Sequence, residues 1–565
     1  MGHIDTIANS YVDEWAPLDP IGATFVGIAG HDDRLTELSP EGYAALAELD
    51  RRTLAELDQV TPADEGERVA QEAMQERLTL ALEMYDAGLV TSEVNVISGA
   101  LHAVRSVFDL MPTNTEEAAR NLAARLAAVP TALAQARTTL IEAAAHGHVA
   151  AQRQITEVAK QCDIWVNPDQ DDFWPALVRR VVADSGVSGA LATDLERGAE
   201  GARTATIDYA RFLRDELAPL GSENQAAGRE HYALASRYFL GATVDLEETY
   251  AWGFAELARI EAEMRTVADK IVSGSTVREA IKALDEDPAR QIAGKEAFRD
   301  WMQALADRAI SELHGSHFDI PEQVRRIECC IAPTSDGAIY YTGPSEDFTR
   351  PGRMWWAVPQ GVDSFATWQE VTTVYHEGVP GHHLQVGQTA VRAELLNRWR
   401  RLLSWCSGHG EGWALYAERL MDELGYLDDP GDRMGMLDGQ RMRAARVVVD
   451  IGMHLEMPIP ENNLLDADGT GAFHPGERFT PELGWEFMRA HCSTPDENLR
   501  FELNRYLGWP GQAPAYKVGE RIWLQARADA QAREGSAFDL KAFHRAALDL
   551  GSIGLDPLRA ALARI

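Results

Sequence analysis

Cysteine is scarce, with five residues in 565. Cys329 and Cys330 are adjacent and no CxxC pair exists, so neither a disulfide framework nor a thiolate metal site is encoded, and a reducing, cytoplasmic setting is expected. Basic residues are also in short supply. Lys and Arg number 53 against 88 Asp and Glu, a formal net charge of −35. That balance argues against DNA or RNA as partner, because phosphate binding needs a basic face. It is compatible with steering of a cationic substrate, but a soluble acidic surface is the favoured account. Long apolar runs are missing as well. No stretch approaches the roughly 18 residues of a membrane span, and the start, Met1-Gly2-His3-Ile4-Asp5, carries acids where a signal peptide has bases. No fixed-period repeat supports a solenoid, and no long polar linker separates independent domains.

With 45% hydrophobic residues, the chain can bury a large core. Ala, Leu and Glu at three- and four-residue spacing predict helices over 41–60, 116–145, 205–218 and 246–272. Pro130 should kink or split the second. Near residue 325 the pattern changes. Arg326-Ile327-Glu328-Cys329-Cys330-Ile331 and Ala338-Ile339-Tyr340-Tyr341-Thr342 are short and β-prone, with a turn-like Pro333-Thr334-Ser335-Asp336-Gly337 between them, and residues 354–358 form a third such run. Helical patterning resumes near Ser364. The expectation is a mostly α protein with one small sheet ahead of the main motif.

That motif is His376-Glu377-Gly378-Val379-Pro380-Gly381-His382-His383. A regular HExxH helix sets two histidines at i and i+4 on one face, with the glutamate as general base. Here i+4 is Pro380, and histidines follow at i+6 and i+7 instead. In an undistorted helix i+7 lies about 10.5 Å along the axis and i+6 about 120° off the face. Neither suits two imidazoles meeting one zinc at ~2.1 Å each. Pro380 and Gly381 predict a bulge that carries His382 into the i+4 place, and so favour His382 over His383 as ligand. One buried His beside a Glu is ordinarily a satisfied polar pair. Three histidines and a glutamate within eight residues are much harder to read as packing.

A catalytic zinc wants three protein ligands and an open position. The downstream string His409-Gly410-Glu411-Gly412-Trp413-Ala414-Leu415-Tyr416-Ala417-Glu418 supplies Glu411, 29 residues after His382, as third ligand, with His409 as rival. Glu418, two turns further along, either orients a ligand or sits in a surface salt bridge.

HEGVPGHHLQ followed by EGWALYAERL resembles the bacterial family known as domain of unknown function 885, and the likeness runs from Pro20-Ile21-Gly22-Ala23-Thr24 to Pro557-Leu558. The resemblance implies a zincin-like peptidase. EGWALY is also similar to the third-ligand segment of gluzincins, although Gly410 stands where that segment has asparagine. RxVVDxGxH and RYxxxPGQAxxYKxG resemble further segments of the same family. On one predicted helix, Arg443, Arg446, Asp450 and His454 are spaced for either of two roles. His454 or Arg446 steadies an oxyanion while Asp450 orients a neighbour, or the group is a structural ion pair. Tyr516 is a candidate donor to an oxyanion and Arg505 a candidate grip on a substrate carboxylate; packing explains each equally well. His544 reads as a surface or core histidine.

The expected architecture is one family-length domain over 1–565. It has a helical lobe at 1–320, a β-rich segment at 321–365, metal-binding helices at 366–460 and a C-terminal helical part at 461–565 that completes a central cleft. The expected function is hydrolysis of amide bonds in short peptides with one zinc ion per chain. The metal is held by His376, His382 and Glu411, Glu377 is the general base, and His383, His454 or Tyr516 steadies the oxyanion. Residues 354–358 are expected to hold substrate as an edge strand, with Trp355 and Trp356 on opposite faces. The alternatives are an amidase acting on a small acylated metabolite and a binding protein without turnover; retention of Glu377 speaks against the latter. Neither nucleic acid nor membrane is an expected partner, and a homo-oligomer is compatible with the sequence.

Overall fold

A computed structural model of the chain describes residues 2–170, 172–332, 339–345, 348–359, 361–461 and 472–564. The chain is mostly helical and divides into two compact units. The first comprises Met1–Ala63, Leu78–Ala226 and Phe501–Trp509, the second Asp64–Arg77, Ala227–Arg500 and Pro510–Ile565. Residues 227–320 of the expected helical lobe therefore belong to the second unit. Among the described residues, no helix is long and apolar enough to cross a membrane.

The first unit is built around the helix Glu116–Ala145, whose N-cap Thr115 accepts a hydrogen bond from the Ala118 amide. Leu122, Leu126, Val129 and Leu133 share one apolar stripe in its core. Pro130 neither ends nor divides this helix, contrary to the split allowed by its sequence. The partner helix Ala190–Phe212 brings small residues to it. A Cβ on Gly201 would lie 3.7 Å from the Pro130 ring, and one on Gly198 only 2.8 Å from the Leu126 Cβ. In the same unit Arg505 is committed to Glu502, at 2.8 and 3.2 Å, and its guanidinium lies over the Tyr506 ring. These contacts match the packing alternative considered for it.

The second unit contains the long paired helices Leu246–Ile271 and Pro430–Leu455. It also holds a three-stranded sheet in the order Ile327–Ile331, Gly352–Trp356, Tyr340–Thr342. Gln291–Ala293 and Ser364–Ala366 form a separate antiparallel pair. The turn expected at Pro333–Gly337 lies outside the described residues. The strand Gly352–Trp356 is central: it pairs parallel with Ile327–Ile331 and antiparallel with Tyr340–Thr342. Both of its hydrogen-bonding edges are used, so the expected substrate edge at 354–358 is corrected. Trp355 and Trp356 do alternate. Trp356 is buried and donates its Nε1–H to Glu370 at 2.8 Å, whereas Trp355 stacks on the exposed Tyr340 ring.

Candidate metal centre

The helix Thr367–Glu377 stops at the motif. Gly378 leaves helical dihedrals, the Val379–Pro380 peptide is cis, and a new helix, His382–Val391, begins at once. The expected bulge within one helix is thus a break between two. Backbone contact explains the two glycines. The Gly381 amide donates to the Tyr375 carbonyl at 3.0 Å, and a Cβ on Gly381 would collide with the carbonyls of Tyr375 and His376. This tight return sets His382 beside His376, with ring centroids 4.9 Å apart and planes perpendicular.

The third residue comes from the helix Ser407–Glu423. Near its start this helix touches Ala515–Glu534 main chain to main chain. A Cβ on Gly519 would run into the Gly408 carbonyl and the Gly412 Cα, and one on Gly412 into the Gly519 backbone. Glu411 is thereby fixed relative to its neighbours. Its Oε2 lies 3.4 Å from His376 Nε2 and 3.4 Å from His382 Nε2, without hydrogen-bond alignment. All three donor atoms fall within 4.8 Å of one another.

These residues fit a small divalent cation. Donors bound tetrahedrally at 2.0–2.2 Å stand about 3.3 Å or slightly more from each other, which is the spacing seen around Glu411. The charges also call for one. Glu377, Glu411 and Glu418 bring three negative charges, and Arg443, within electrostatic reach of Glu377 and Glu418, returns one. With neutral imidazoles, a divalent ion would balance what remains, as buried charge requires. In the metal-free chain a proton meets part of this deficit. Burial pulls the His376 pKa down, but the Glu411 and Glu418 carboxylates outweigh it and lift it to about 9. Burial pushes Glu411 up, yet the His382 and His376 rings hold it well below the usual carboxylate range. A metal held here would therefore compete with that proton.

Around these three residues the supporting groups are specific. Glu418, 1% exposed, takes His376 Nδ1 at 2.7 Å and the Thr372 hydroxyl at 3.0 Å. It is a buried orienting carboxylate, not a surface salt bridge. Thr372 stands one turn before His376, a spacing that could have revealed it. Glu377 is buried, its Oε2 has no hydrogen-bond partner in the structure, and burial raises its pKa against the pull of the His376 and His382 rings. The rival ligand His409 packs against the Trp523 ring, and its Nδ1 meets the Ile553 amide at 3.5 Å.

His383 requires a correction. Its Nε2 lies 2.7 Å from the Val324 carbonyl and its Nδ1 2.9 Å from the Tyr341 hydroxyl. Burial lowers its pKa to about 4, so it carries one ring N–H, which must point at Val324. Nothing is left to donate to an oxyanion. His383 instead fixes Tyr341, whose ring lies 6.5 Å from that of His382. Tyr341 escapes sequence reasoning because strand patterning gives its position no chemical signature, whereas Arg443 is singled out there with its helix neighbours and the structure adds its placement near two glutamates.

The remaining candidates make contacts of their own. The Arg446 guanidinium lies 4.9 Å over the Tyr516 ring. His454 is buried and accepts from the Ala227 amide through Nδ1 at 3.2 Å. Asp450 accepts from the Tyr232 hydroxyl at 2.7 Å and the Gly511 amide at 2.9 Å.

A helical fold carrying two histidines from adjoining helices and a glutamate from a third, with a free buried glutamate beside them, defines a candidate metal-centre protein. Residues 20–562 match the model of the bacterial protein of unknown function known as domain of unknown function 885, and the chain belongs to that family. No curated protein matches it. Among solved structures it is similar to a protein of Colwellia psychrerythraea provisionally described as a lipoprotein. The two share 22% identity and a TM-score of 0.84, with 99% of this chain and 98% of that one covered. It is also similar to a provisionally described lipoprotein of unknown function from Shewanella oneidensis, with 18% identity, a TM-score of 0.71 and full coverage of both chains. These likenesses establish the fold alone.

Proposed function

We propose that the chain is a zinc-dependent hydrolase of zincin-like type that cleaves amide bonds in short peptides. The observation that carries this reading is the convergence of His376, His382 and Glu411 on one point beside a buried carboxylate that has no hydrogen-bond partner on one oxygen. A metal-storage or purely structural site has no use for that fourth group. When bound, zinc supplies Lewis acidity that makes water a nucleophile at neutral pH and polarises the carbonyl.

The protein's own residues do the rest. Glu418 holds the His376 ring in one tautomer and orientation, with Nε2 free to face the metal. Glu377 takes the proton of the attacking water. Its raised pKa suits it to keep that proton and then deliver it to the departing amine. Arg443 offers a positive charge near Glu377 and Glu418 that offsets part of their buried negative charge. A peptide is favoured over a small acylated metabolite by the gluzincin-like order of the motif, His-Glu followed by a downstream Glu on a separate helix. Metal analysis of the purified protein with a peptide-library digest tests the reading; a chain that holds no metal and cuts no peptide refutes it.

On location, the scarcity of cysteine and the free state of all five thiols favour a cytoplasmic chain, while the description of both structural neighbours favours an exported one. Cell fractionation separates the two.

A further inference from the structure

The three proposed ligands are not equally sealed. Side-chain exposure is 4% for His376, 9% for His382 and 17% for Glu411, so what exposure the three side chains have lies mainly on Glu411 and His382, although the Glu411 Oε2 itself is buried. One large side chain stands there. The Trp405 ring centroid is 6.5 Å from that of His382, and the same indole covers Gly410, where a Cβ would collide with it. This explains why glycine precedes Glu411.

Trp405 is 49% exposed, a costly arrangement for a large apolar ring, yet both its neighbours are anchored. Ser404 is buried and donates its hydroxyl to the Ser552 carbonyl at 2.5 Å. Cys406 is buried, its Sγ lies 3.4 Å from the Phe239 carbonyl, and its own carbonyl accepts from the Gly410 amide at 3.0 Å. The backbone is tied down on each side of a residue left projecting at the mouth of the centre.

We propose that the Trp405 indole forms the substrate-side wall of the centre and selects substrates carrying a flat or branched apolar side chain beside the bond to be cut. The proposal rests on the hydrolase reading. An indole face contributes apolar area and ring stacking to whatever lies against it, and its position over Gly410 sets it next to the ligands without occupying them.

The test uses the full-length, zinc-loaded chain with benzohydroxamate and acetohydroxamate as probes, measured by titration calorimetry beside zinc content. The wild type should prefer benzohydroxamate by about tenfold or more. Trp405→Ala should keep its zinc and bring the two affinities to within about threefold, and Trp405→Phe should retain most of the preference. An absent preference in the wild type, an unchanged preference in Trp405→Ala, or loss of zinc from that variant overturns the wall role alone. A wild-type chain that takes up no zinc overturns the hydrolase reading and this inference with it.

Discussion

The Lys517 cluster and the His376 cluster both lie buried in the second unit, and both mix nitrogen bases with glutamates. Lys517, 2% exposed, gives its ammonium to Gln440, to Glu520 and, at 3.0 Å, to Glu256. Glu256 is in turn gripped by Arg259, so that despite burial it is held down to about 2. Charge meets charge, as in a structural network. Around His376 the balance fails: Glu377 and Glu411 each keep a buried oxygen with no hydrogen-bond partner. Residue type does not distinguish the two places. Satisfaction does, and a native fold tolerates orphaned polar atoms where something else completes them.

Perturbing each cluster should therefore give opposite phenotypes. The largest effect expected is from Glu377→Gln, which should lower turnover by about a thousandfold while zinc stays near one per chain; metal lost from a well-folded variant would refute the assignment of Glu377 to proton transfer. Next, Lys517→Met should cost about 3 kcal/mol of stability by stranding Glu520 and Glu256, with the zinc content of the folded fraction unchanged. Urea unfolding followed by metal analysis reads both, and zinc loss without destabilisation would merge the clusters into one. Glu418→Ala should weaken zinc affinity by about 10–100-fold, and His383→Ala by less, since His383 supports Tyr341 and not the ion. Competition with a chelating dye ranks them, and the reverse order would place His383 among the ligands.

The smallest effect concerns Glu370, on the same helix as His376. Burial lifts its carboxyl to about 7, against the hydrogen bond from Trp356. A folded pKa above the unfolded value means stability that is full below about 4.5 and lost as pH rises through 7. Glu370→Gln should remove that loss, raising Tm by a few degrees at pH 8 and hardly at pH 4.5. Equal shifts at both pH values would show that packing, not ionisation, is responsible.

Much of this contrast is legible in the sequence, unevenly. The ligand candidates crowd into eight contiguous residues and one downstream string, so their chemistry shows without a fold. The long helices Glu116–Ala145 and Leu246–Ile271 follow from their periodicity. What cannot be read is anything that depends on contacts between segments. The central place of Gly352–Trp356 is dictated by strands on both sides, and the commitment of His383 by Val324 and Tyr341. Orphaned oxygens are invisible for the same reason: satisfaction is a property of neighbours.

The glycine contact between Ser407–Glu423 and Ala515–Glu534 makes the centre sensitive to events far along the chain. Glu411 and Glu418 ride on a rod whose distance from its neighbour is set by main chain touching main chain at Gly408, Gly412 and Gly519. A rod so seated has no cushion. A single methyl at Gly519, more than a hundred residues after Glu411 in sequence, would have to be absorbed by moving the rod, and both carboxylates would shift with it.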